Sequence, residues 1–118
     1  MNSPNLRTLD AAGLEEEIKT SDGLVIVDCW AEWCGPCRAM EPVLGHLARE
    51  GMNIVKVDID EHPEVASRHS VMSVPTVLVF RDGGEVGRLV GARSAARLRS
   101  DIESIAAAAT PASPAARR

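Results

Sequence analysis

Three cysteines fall within nine positions, Cys29, Cys34 and Cys37 of CWAEWCGPC, and the chain has no others. Sulfur at this density ligates a metal, staples a fold or moves electrons. A closed structural zinc site takes four ligands, usually two close cysteine pairs or one pair with matching histidines. Here there is no second C-x-x-C, and His46, His62 and His69 are scattered, in solvent-facing or helix-terminal contexts. No metal is expected. An odd number of thiols cannot form a fully paired framework, and 118 residues are enough to bury a core without a staple. Electron transfer by Cys34 and Cys37 is the chemistry that remains, with Cys29 as a small apolar residue inside a strand.

The flanking pattern shows which elements must position that pair. LVIVDCW, 24–30, is a near-continuous apolar run of strand length, the pattern of a strand covered on both faces. After CGPC, the spacing of Met40, Val43, Leu44, Leu47 and Ala48 marks one face of a helix to about Glu50, kinked at Pro42 and ended by Gly51. The C-x-x-C therefore lies just past a buried strand, on the first turn of a helix. Unpaired N–H groups and the positive dipole end favour a thiolate over a thiol there. Pro36 suits that turn because its missing N–H costs nothing, and Gly35 lets another chain come close. Cysteines at i and i+3 share a side and lie within disulfide reach. Such a dithiol calls for an exposed attacking sulfur, Cys34, and a resolving one behind it, Cys37.

The remaining elements follow from the same rules. LRTL, 6–9, suggests a first strand, and a helix over 11–20 starts at Asp10 with Leu14 and Ile18 on one face. NIVKVDI, 53–59, reads as a strand and 63–69 as a short helix. TVLVF and EVGRLV around RDGG form a hairpin. Ser94 caps a last helix with the stripe Leu98, Ile102, Ile105, Ala106 and Ala109. The order β-α-β-α-β-α-β-β-α predicts an α/β domain over 1–109, a mixed sheet of five strands flanked by four helices, with a frayed tail at 110–118.

Two charged residues interrupt the strands. Asp28 sits in the middle of LVIVDCW, where an ionised carboxylate is costly unless it is paired or protonated. The competing reading is a strand that faces solvent at that point. Lys56 interrupts NIVKVDI, where an edge-strand lysine reaching to water is nearly as good an account as an internal partner.

WAEWCGPC, with VD before it and RAMEP after it, resembles the thioredoxin family. KVDID, SVPTVLVF and VGA at 90–92 fall in register with the same family, so the resemblance runs from about Leu6 to Ala109. It implies the thioredoxin fold and a general protein-disulfide reductase working by dithiol–disulfide exchange at Cys34 and Cys37. Asp28 would take and return the proton of Cys37, with desolvation raising its pKa toward the working range, and Lys56 would be its supporting partner. Val74–Pro75 would be a cis bond facing the two cysteines. Trp33, Gly35, Pro36, Val74, Gly91 and Ala92 would join Pro75 in a shallow apolar rim for many disulfide-containing protein substrates. Trp30 reads as core packing with a hydrogen bond from its indole. The family further implies a monomer that binds no cofactor and is recharged by a separate thioredoxin reductase, a flavin enzyme using NADPH. Gly-Pro between the cysteines matches the reducing branch, whereas oxidising relatives tend to carry histidine there. Cys29 and Ser73 depart from the pattern, standing where an aromatic residue and a glycine are common.

Composition narrows the alternatives. With 13 Lys and Arg against 17 Asp and Glu, net −4, mixed along the chain, there is no basic stripe for a phosphate backbone, so nucleic acid is not an expected ligand. No apolar run is long enough for a membrane span, and the N-terminus lacks a signal peptide's basic start and apolar core. A cytoplasmic protein is expected. The competing functions are a non-catalytic binding subunit on the same scaffold, a more oxidising oxidase or isomerase, and a metal-carrying domain.

Overall fold

The computed structural model describes residues 6–109; the tail expected at 110–118 lies outside the described residues. Along the chain run β1 (Arg7–Thr8), α1 (Ala11–Thr20), β2 (Leu24–Trp30), α2 (Gly35–Arg49), β3 (Ile54–Asp58), α3 (Pro63–His69), β4 (Thr76–Arg81), β5 (Gly84–Val90) and α4 (Ala95–Ala109). The strands make one five-stranded sheet in the order β1-β3-β2-β4-β5. β1, β3 and β2 run parallel, and β4 and β5 complete the sheet antiparallel. This is the mixed sheet with four flanking helices that the element order predicts.

The central strands are apolar at nearly every position because both faces are covered, and alternation decides which neighbour each side chain meets. Val25, Val27 and Cys29 of β2 join Val55 and Val57 of β3 and Leu78 and Phe80 of β4 under α1 and α3, against Leu14, Ile18 and Val65. Ile26, Ile54, Val77 and Val79 point the other way, into Met40, Leu44 and Leu47 of α2 and Leu98 and Ile102 of α4. By the same alternation Asp28 and Lys56 face α2. They are also register partners across the parallel β2–β3 pair. The sheet thus delivers two charged residues to the underside of the helix that begins with the cysteines.

Local signals set the boundaries. Asp10 accepts the Gly13 N–H at 2.7 Å and starts α1, and the Ser94 hydroxyl accepts the Arg97 N–H at 3.2 Å at the start of α4. Pro42 falls inside α2 without ending it. Asp82 and Gly83 both take positive φ, 53° and 84°, the tight turn that suits the twist of a hairpin. Arg7 and Asn53 both donate to Glu17, at 3.0 Å each, so one carboxylate ties β1, α1 and the entry to β3.

Candidate active site

Cys34 is the N-cap residue of α2, and its sulfur accepts the Cys37 backbone N–H at 3.1 Å. Cys34 and Cys37 are joined as a disulfide with their Cα atoms 5.2 Å apart. A free N–H of the first helical turn thus already points at the Cys34 sulfur. Once the disulfide is reduced, that donor and the dipole end stabilise a negative charge on the same atom. Pro36 occupies the first turn, as its lack of a donor allows.

The expectation of an exposed attacking sulfur does not hold in this oxidised state, since Cys34 and Cys37 are each 3% exposed. They pack with Ala31, Trp30 and Val74, so the loop before β4 covers the pair. Trp33 does the opposite: it is 69% exposed, its ring held by an indole N–H donated to Asp60 at 2.8 Å. Arg38 donates to the Glu32 carbonyl and closes the turn from beneath.

Beneath Cys37 lies a cavity of about 390 Å³ lined by Asp28, Trp30, Glu41 and Lys56, with charged side chains at its mouth. Asp28 is 1% exposed, which removes the solvent-facing reading, and its Oδ1 has no hydrogen-bond partner within the protein. Burial pushes its carboxyl up to about 7; the Lys56 ammonium opposes that rise and the Glu41 carboxylate adds to it. Lys56 is neither an edge-strand residue nor bonded to Asp28. It is 5% exposed in β3, between β1 and β2, and its Nζ donates to Glu41 Oε1 at 2.5 Å. The same ammonium lies 4.5 Å from the centroid of the Trp30 ring.

Two loops complete the rim. The Val74–Pro75 bond is cis. Pro75 is buried, and its carbonyl accepts the Gly91 N–H at 2.9 Å, which joins the two loops. Gly91 has φ +97°, open to glycine and strained for other residues, so it turns the chain at the end of β5. Ala92, Gly35 and Pro36 are exposed, and Val74 is half-buried over the cysteines. Among the described residues no backbone hydrogen bond is made to Val74, whose N–H and C=O stay available to an incoming strand.

The structure therefore brings Cys37, Asp28 and Lys56 to one cavity, with Cys34 bonded to Cys37, Val74 packed over the pair and Pro75 tied to Gly91; Trp33, Gly35, Pro36 and Ala92 stand exposed beside them in the chain. Sequence reasoning missed Glu41, Asp60, Arg93 and Met72. Glu41 was detectable in part, as the acidic residue one turn after Cys37 on a half-apolar helix. Asp60 and Arg93 had no local signal: one holds Trp33 from 27 residues away, and the other ties the 91–93 loop to Asp101 at 2.7 Å. Met72, two residues before Val74, is 92% exposed, and Val90, paired with Thr76 and next to Gly91, is 59% exposed. The Trp30 indole N–H has no partner, contrary to the hydrogen bond expected of it. His46 pairs with Glu50, His62 precedes α3, and His69 is a partly buried neighbour of Glu15 and Phe80. Among the described residues no three His, Cys, Asp or Glu side chains gather as a metal site, and no helix is long and apolar enough to cross a membrane.

Comparison with known proteins meets this geometry. The thioredoxin family profile matches residues 5–104. A thioredoxin of Mycobacterium tuberculosis is 37% identical over 106 residues, covering 87% of this chain and 90% of that protein. Thioredoxin 1 of Nostoc is 42% identical over 92 residues, 75% of this chain and 86% of its own length. Among solved structures, a mutant thioredoxin from Halobacterium salinarum superposes with a TM-score of 0.79 at 34% identity, over 90% of this chain and 96% of that one.

Proposed function

The chain belongs to the thioredoxin family, and from that premise we propose how its own residues divide the work of a protein-disulfide reductase. The reaction is dithiol–disulfide exchange at Cys34 and Cys37, and the binding-subunit and oxidase or isomerase alternatives are not favoured beside named thioredoxins that share the pair. The observation that carries the assignment of roles is the Cys37 N–H aimed at the Cys34 sulfur.

In the reduced protein Cys34, as thiolate, attacks one sulfur of a target disulfide. A mixed disulfide forms and the other target sulfur leaves as a thiolate. Cys37 then gives up its proton and attacks the Cys34 sulfur, which releases the second target thiolate. The target gains two electrons, and the protein is left with the Cys34–Cys37 disulfide seen here. Asp28 is the acceptor for the Cys37 proton, because both groups line one cavity and the carboxyl is held near the middle of the working range. Lys56 supports that group from β3. The uncommitted backbone of Val74, beside cis-Pro75, pairs with an extended target segment, while Trp33, Gly35, Pro36, Gly91 and Ala92 supply a shallow apolar rim. A surface of this kind suits many disulfide-bearing proteins. Recharging falls to a separate thioredoxin reductase, for which a flavin enzyme drawing on NADPH is our expectation. The protein works as a monomer in the reducing cytoplasm, where its one remaining thiol stays reduced.

Two variants and one titration test this. Cys34→Ser should abolish reduction of a disulfide-containing protein, whereas Cys37→Ser should trap the mixed disulfide in stoichiometric yield. Trapping by Cys34→Ser in place of Cys37→Ser would reverse the roles. A two-electron midpoint below about −230 mV is expected of a general reductant. A midpoint between about −180 and −120 mV would reverse the direction of electron flow.

A further inference from the structure

We propose that Glu41 is a positioning residue of the proton-transfer site: it holds the Lys56 ammonium against its own carboxylate, and so keeps Asp28 free of a permanent cationic partner. Asp28 and Lys56 are register partners on the same face of the sheet. A lysine so placed, with both side chains buried, would ordinarily close a charge-assisted bond onto the aspartate. It does not do so here. Lys56 Nζ lies 2.5 Å from Glu41 Oε1 and over the Trp30 ring, while Asp28 Oδ1 is left without a partner. A carboxylate locked to an ammonium would stay ionised through the exchange and could not take the Cys37 proton.

The groups that face Asp28 come from three sides. Lys56 and Asp58 come from β3, Cys37, Arg38 and Glu41 from α2, and Glu32 and Glu61 from the loops at the cavity mouth. β4 contributes only apolar Val77 at the paired position. Of the charged groups only Lys56 and Glu41 act appreciably on Asp28, and in opposite senses. Glu41 therefore works twice, by its own charge and by where it keeps the ammonium. Its second oxygen, Oε2, is buried without a partner, so the fit to Lys56 rests on one oxygen.

The proposal rests on Asp28 being the proton acceptor, and the test separates the two. The titration midpoint of the Asp28 carboxyl is read by carbon-13 NMR on the oxidised protein, in wild type, Glu41→Gln, Lys56→Met and the double variant. Glu41→Gln should lower the midpoint by about one pH unit or more, a tenfold loss of proton affinity. The double variant should show a clearly smaller fall relative to Lys56→Met, the part that comes from the charge of Glu41 alone. Simple loosening of the cavity predicts equal falls with and without Lys56, and that result, or an unchanged midpoint in Glu41→Gln, overturns the clamp. Because Glu41→Gln leaves a buried ammonium unpaired and is prone to unfold, Glu41→Asp gives a second arm. Its shorter side chain should lower the midpoint part of the way, and no change there also overturns the proposal. Turnover of Asp28→Asn is measured alongside. An unchanged rate would remove Asp28 from the exchange, and with it the function given to the clamp, whatever the midpoints do.

Discussion

Asp28 and Cys29 are adjacent in β2 and point to opposite faces of the sheet, and their chemistry differs accordingly. Asp28 opens onto the cavity beneath Cys37, with its carboxyl held up to about 7. Replacing it with asparagine keeps the shape and removes the proposed proton acceptor. Turnover of Asp28→Asn should fall on the order of a hundredfold at about pH 6 and recover toward alkaline pH, where solvent base deprotonates Cys37 unaided. Steady-state reduction of a protein disulfide across that range is the check, and a uniform loss would mean damage to the fold. Cys29 is fully buried among Val27, Val57, Val65 and Leu78, and that burial, with the Asp28 charge, pushes its thiol up to about 12. Thiol labelling of the reduced native protein should therefore leave Cys29 unmodified at neutral pH until denaturant is added. Labelling at the rate of a free thiol would show that β2 opens on its own. Cys29→Ser should cost about 1–3 kcal/mol, since it puts a hydroxyl into an apolar cluster, and leave the redox midpoint unchanged.

The helices and strands differ in how tightly they hold the site. α4 lies across β5, and the contact is close enough that a Cβ built on Gly87 would stand 2.8 Å from Cγ2 of Ile105. Gly87→Ala should therefore destabilise the protein by about 1–3 kcal/mol, read as a shift in the denaturation midpoint. The double variant Gly87→Ala/Ile105→Val should recover part of that loss, and no recovery would place the strain elsewhere. Sequence spacing was enough for most elements: α1 over 11–20, β2 over 24–30 and α3 over 63–69 end where their caps and apolar runs end. The dithiol at a helix start and the buried Asp28 were legible for the same reason, being set by residues within a few positions of each other. The partner of Lys56 was not. Whether a β3 lysine meets Asp28 beside it or Glu41 above it depends on the rotation of α2 over the sheet, which no local pattern encodes. The cover over Cys34 was hidden for a like reason, because it comes from Val74, forty residues further along.

At the scale of the molecule, the buried Asp28 carboxyl and the ion-paired Glu17 carboxyl pull stability in opposite directions with pH. Asp28 binds its proton more tightly folded, near 7, than in the unfolded chain, near 3.8. Its contribution is therefore full below about pH 3.8 and is lost as pH rises through 7, on the order of 4 kcal/mol in all. Glu17 goes the other way. Hydrogen bonds from Arg7, then Ser21 and Asn53, hold it down to about 2 from 4.5, so its support is present above about pH 4.5 and is lost as pH falls to about 2. Solvent screening at this partly exposed cluster limits that support to about 1 kcal/mol. On these two groups the oxidised protein should thus be most stable near about pH 4, and should lose on the order of 1 kcal/mol per pH unit from there to about pH 7. Denaturant unfolding from about pH 3 to 9 would trace the curve. Asp28→Asn should remove the fall that begins near pH 3.8 and reach its largest advantage over wild type above about pH 7, while Glu17→Gln should lower the curve progressively above about pH 2 and fully above about pH 4.5. A stability of a few kcal/mol is a large share of what a domain this size has, so the fold gives up part of its margin to keep a buried carboxyl, the proposed proton acceptor, under Cys37. Parallel curves for wild type and Asp28→Asn across this range would mean that Asp28 keeps its ordinary affinity in the folded protein, and the trade between stability and proton transfer would not exist.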